Sequence, residues 1–190
     1  SIVIRLMPDT DRFNGGAYLD VFNPNAVSTF LELTHERYKQ EMGEMFGREI
    51  VGIFTDEPTF NIEFFGISPH LPYSPYLFEF FKKEKGYDVY EKLHELFFDV
   101  GDYKKTRYDY HSACNELFLK NFIGRYYSWC KENNLVFTGH YACEDSMLEM
   151  ASNQGSVMPG YECMDVPCID KLHRQLSQLT TVKQVVSASA

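Results

Sequence analysis

Two carboxylates, Asp56 and Glu57, stand side by side where the apolar run Ile50 to Phe54 ends, and Pro58 follows them. Adjacent acids repel each other's charge, so one can hold its proton toward neutral pH and donate it during a reaction. Glu57 and Asp56 are accordingly candidates for a general acid and a binding group at this strand end. Pro58 lacks an N–H and restricts Glu57 to extended geometry, which puts the carboxylate on a stiff turn. The plainer alternative is that Asp56 caps the next segment and Glu57 is solvated.

A second apolar run, Leu135 to Thr138, ends in Gly139-His140. His140 can bind a hydroxyl or orient Glu57. Glu144 and Glu162 follow on later loops and are the candidate catalytic partners. Asp20, Tyr141 and Asp165 complete the set of candidate binding residues. Asp20 reads equally well as a capping group ahead of Asn23-Pro24, and Asp170 reads either as a rim carboxylate or as the cap of a helix beginning near Lys171.

Strands must deliver these groups. Ile50 to Phe54 is β-branched, aromatic and of strand length, as a buried strand of a parallel sheet requires. In such sheets ligands bind at the carboxyl ends of the strands. Further strands are expected at Ile2 to Leu6, at Leu135 to Thr138, and at Ser156 to Met158 or somewhat later, running toward Met164-Asp165. The spacing predicts helices over Pro24 to Phe46, Tyr76 to Lys85, Val89 to Phe98 and Tyr103 to Glu132, with a last helical segment over Leu172 to Ala190. In these helices Trp129 reads as a packing residue, and His35 as a surface or packing histidine. The loop Thr59 to Tyr73 is long for such a connection, and Phe60, Phe64, Phe65 and His70 are candidate pocket walls. Strands alternating with helices make this an α/β protein, read as one unit over 1–190 with extra helices inserted over 74–134.

Several stretches, taken in order, resemble one family. They are Tyr18-Leu19-Asp20-Val21 before Asn23-Pro24, Phe30 to Tyr38, Phe54-Thr55-Asp56-Glu57-Pro58, Thr138-Gly139-His140, Glu144, and Tyr161 to Asp170. Together they are similar to the catalytic barrel of α-L-rhamnosidase-type glycoside hydrolases, family 106 and its relatives. The resemblance implies a partial (β/α)8 TIM barrel, a carbohydrate substrate from plant or bacterial glycans, assistance by calcium, and Glu57 protonating the leaving oxygen. Two alternatives stand beside it. One is a catalytically inactive relative that binds carbohydrate, and the other is a metal-dependent hydrolase built on His140, Glu144 and Glu162 with zinc or manganese.

Length and charge bound the remainder. A complete (β/α)8 barrel takes ~250 residues, and this chain has 190, so about half a barrel is expected. The partner carboxylate is then expected past the last residue, and the isolated chain is expected to be inactive and to self-associate through open strand edges. A net charge of −9 disfavours nucleic acid and anionic membrane as partners. No run reaches the ~20 apolar residues of a membrane span. The first residues do not read as a signal peptide, so any targeting segment is expected upstream. Five cysteines without a C-x-x-C pair read as free thiols, which favours the cytoplasm weakly. A zinc site from Cys163, Cys168 and His173 matches no standard spacing.

Overall fold

The computed structural model describes residues 2–62, 70–171 and 179–189. Three parallel strands form one sheet in the order β1 (Gly52–Asp56), β2 (Val136–His140), β3 (Val166–Pro167). The pairing sets Asp56 opposite His140 and Thr138 opposite Val166. Strand side chains alternate between faces. Ile53, Thr55 and Phe137 therefore turn to one side, and Phe54, Asp56, Thr138 and His140 to the other. The first side is covered: Phe137 is fully buried, 4.8 Å from the ring of Tyr126. The second carries Phe54, which is half exposed.

Helices supply that cover. Asn23 accepts from the N–H groups of Asn25 and Ala26 and Pro24 occupies the first turn, so α1 (Pro24–Leu33) starts where the sequence predicts. The single helix expected through Phe46 is in fact broken. The Thr34 hydroxyl donates to the Phe30 carbonyl, a local bond that competes with the helical ladder. The chain restarts as α2 (His35–Met42) and ends in a 3-10 turn, Gly43–Met45. α3 (Pro75–Lys85) stops at Gly86 in the left-handed conformation, and α4 (Val89–Phe97) is capped by Asp88, which accepts from the Tyr90 N–H. The long segment from Tyr103 is α5 (Tyr103–Phe118), joined through a π-helical turn, Leu119–Ile123, to α6 (Gly124–Glu132). α7 (Met147–Asn153), α8 (Met158–Tyr161) and α9 (Thr180–Ala188) follow.

Four corrections concern the strands. β1 begins two residues later than expected, so Asp56 ends the strand instead of following it. β2 likewise extends to His140, because the Asp56–His140 pair closes the ladder. Ile2 to Leu6 forms no strand among the described residues, and Val3 and Leu6 are exposed; a strand needs a neighbour to take its backbone bonds. Ser156 to Met158 is not a strand either, since Pro159 opens the short helix α8 there and Val157 packs into the core. The third strand is instead Val166–Pro167.

The core lies between the covered side of the sheet and the helices, where Leu77, Phe81, Ala113, Phe118, Ile123 and Phe137 are fully buried. Three small residues permit close approach. A Cβ on Gly52 would lie 2.5 Å from the Val136 carbonyl oxygen, one on Gly139 2.2 Å from that of Thr55, and one on Gly160 2.1 Å from the Tyr141 hydroxyl. Of the expected helical tail, Leu172 and the residues to 178 lie outside the described residues. No helix among the described residues is long and apolar enough to cross a membrane.

Candidate active site at the carboxyl end of the sheet

β1 and β2 end side by side, and that fixes the first two groups. Asp56 Oδ1 lies 3.1 Å from His140 Nε2, but out of line for a hydrogen bond. The Asp56 carboxylate is largely exposed, whereas His140 is about nine-tenths buried. The ring of Phe54 meets the imidazole edge-on at 5.4 Å. Glu57 departs from the extended geometry expected before proline. Its φ is 46°, in the left-handed region, where a non-glycine residue sits under strain. That turn brings the exposed Glu57 carboxylate to His140 and Asp170, with one ligating atom from each of the three within 4.8 Å of the others.

Asp170 reaches this point because a buried tether holds its backbone. Glu144 is buried, and its Oε1 accepts from the Asp170 N–H at 2.8 Å while Oε2 accepts from the Tyr161 hydroxyl at 3.0 Å. Burial pushes the Glu144 carboxyl above its ordinary value, against the opposing pull of these two donors, His140 and Lys171. Lys171 pairs with Asp145 alongside, and the Cys168 N–H donates to the Gly139 carbonyl at 2.8 Å. The loops after β2 and β3 are thus clamped together.

The other predicted site residues lie elsewhere. Glu162 is exposed just past α8 and outside the Glu57, His140 and Asp170 group. Asp165 sits at the opposite end of the sheet. Its Oδ2 accepts from the Phe137 N–H at 2.9 Å and its Oδ1 from Lys131 Nζ at 2.6 Å. Burial would raise the Asp165 carboxyl, yet the Lys131 ammonium and the Phe137 N–H hold it below its usual value. Asp20 accepts from the Phe22 N–H and from the Ser74 hydroxyl, a capping and tethering role. Tyr141 is buried against Tyr161, its hydroxyl facing Gly160. His35 packs among Phe30, Tyr126 and Trp129, and Trp129 donates to Glu36 at 2.6 Å. Of the proposed pocket walls, Phe60 is buried against Phe22 and Phe118, His70 is half-buried, and Phe64 and Phe65 lie outside the described residues. The residue that sequence reasoning overlooked is Tyr161, the hydroxyl that holds Glu144. Its signal in the sequence is a tyrosine directly ahead of Glu162.

A cleft of about 270 Å³ opens beside β1, lined by Tyr18, Leu19, Phe54, Asp56 and Pro58 with Phe122 deeper in. It adjoins the rim and offers aromatic faces beside a carboxylate. Among the described residues, the Glu57, His140 and Asp170 group is a mixed oxygen and nitrogen donor set, not the oxygen set that calcium takes. Calcium takes 6–8 oxygen ligands, roughly, whereas the cluster offers two carboxylates and an imidazole nitrogen. The cysteines are all free, with Cys143 exposed and Cys114 and Cys130 buried. His173, of the zinc set with Cys163 and Cys168, lies outside the described residues.

Comparison with solved structures finds a likeness to a rhamnosidase from Novosphingobium sp. PP1Y, with a TM-score of 0.65 and 19% identity. At that identity the likeness shows the fold alone. The match covers 92% of this chain and 16% of that protein, so the chain spans about a sixth of that protein's length. No family model matches the sequence, and no curated protein matches it either.

Proposed function

We propose that this chain is a segment of a glycoside hydrolase catalytic barrel of the rhamnosidase type, with the helices between 74 and 134 as an insert on its outside. The observation that carries the reading is the convergence of Glu57, His140 and Asp170 at the carboxyl end of a parallel sheet whose fold is similar to that of a rhamnosidase. That end of the sheet is where α/β barrels place their chemistry. Glu57 is the general acid, protonating the oxygen of the departing group as the sugar ring takes on cationic character. Asp170 and His140 hold it in place, and the aromatic cleft beside Asp56 receives the sugar. Glu144 serves the site indirectly, by fixing Asp170.

The test uses the intact protein from which this segment comes. Glu57→Gln is expected to lower turnover of glycosides with poor leaving groups by at least ~100-fold, the low end of a general acid's contribution. An activated aryl glycoside needs less protonation and is expected to lose less. Small, equal losses on both substrates would remove Glu57 from that role.

A further inference from the structure

Two carboxylates and an imidazole converge at one point of the rim. We propose that Glu57, His140 and Asp170 form a binding site for a divalent transition-metal ion of the zinc class. Zinc accepts a mixture of imidazole nitrogen and carboxylate oxygen, and sites with three protein ligands keep a further position open. The three groups come from three separate strand ends and already lie within 4.8 Å of one another. Bonds of ~2.0–2.2 Å to one ion require ligand atoms closer than about 4.4 Å. Reaching that spacing takes a side-chain adjustment within the cluster, in which the Glu57 carboxylate is exposed. His140 supplies the independent indication. It is about nine-tenths buried, its ring makes no hydrogen bond among the described residues, and its buried Nε2 has Asp56 near it but not in line. A buried imidazole without a hydrogen bond is costly unless something else takes its lone pair.

This site goes beyond the glycosidase reading and stands or falls separately. An ion on Glu57 and a transferable proton on Glu57 exclude each other, so zinc would inhibit an enzyme that uses this residue as its acid.

The experiment titrates the metal-free full chain with zinc chloride by calorimetry, with calcium chloride as the comparison. One zinc per chain is expected, with no saturable calcium binding. His140→Ala and Asp170→Asn are each expected to weaken zinc binding by at least the ~10-fold typical of losing even an outer-shell partner. Asp170 is not in the core, so its variant keeps the test valid if the histidine variant fails to fold. Cys143→Ser controls for the exposed thiol, and it is expected to change nothing. Absence of saturable zinc binding overturns the proposal. So does binding that survives Asp170→Asn, or that disappears with Cys143→Ser.

Discussion

The two sides of the sheet are made from alternate residues of the same short strands, and they differ in how fully their groups are partnered. On the covered side Phe137 meets Tyr126 and Tyr127, and its N–H is taken by Asp165, itself paired with Lys131. On the open side Phe54 is half exposed, Asp56 faces solvent, and the buried ring of His140 makes no hydrogen bond among the described residues. The covered side packs into the core, and the open side carries the candidate site residues. Core packing and the candidate site are thereby separated across a single layer of backbone, one residue apart.

That division can be broken by mutation. Phe137→Ala empties a fully buried site and is expected to cost about 3–5 kcal/mol, as for other large-to-small core changes, read from the denaturation midpoint. A loss under ~1 kcal/mol would mean that the helices do not depend on the sheet.

The next effect is one of pH. His35 is buried behind the covered side, and burial, opposed by the nearby Glu36 charge, lowers its imidazole from 6.5 to about 4. Its folded value is depressed, so the unfolded chain binds the proton more readily. The stabilisation from a neutral His35 is complete above pH 6.5 and is lost as pH falls through that window toward about 4. Stability there is expected to fall by at most about 1.4 kcal/mol per pH unit, one proton's worth. Acid titrations of the native protein and of His35→Phe should diverge across this range, and parallel curves would dismiss the residue as the cause.

The smallest change sharpens the contrast. Asp56→Ala, on the open side, is expected to alter stability by less than about 0.5 kcal/mol, as at other exposed positions. Thermal melts that coincide within that margin support the division. A clear loss would make Asp56 a structural partner of His140.

Much of this was legible in the residue pattern. Asn23-Pro24, Asp88 and Gly86 carry their helix boundaries in their own chemistry, and apolar spacing alone marks the run from Tyr103 to Glu132. Strand ends were not legible, since pairing between residues distant in sequence decides them; Asp56 and His140 each complete a strand because the other is opposite. For the same reason Ile2 to Leu6 reads as a strand on composition and forms none among the described residues. In the site, Glu57 and His140 can be picked out from the apolar runs they follow. The role of Glu144 could not be, because burial beneath Tyr161 and Asp170 is what makes it a tether.

The β1–β2 pairing also sets a schedule. Gly52 pairs with Val136, about 84 residues later, and at ~5–20 residues per second of synthesis β1 precedes its partner by several seconds. The helices α3 to α6 lie wholly between the two strands and pack largely on one another, so they can assemble in the interval. For that time the strand bearing Phe54 and Asp56 lacks its β2 partner, and an unpaired edge is the kind of surface to which other nascent chains and holding chaperones attach. Acidic residues are one of the devices that keep open strand edges from pairing with other chains, and Asp56 and Glu57 stand at the tip of this one.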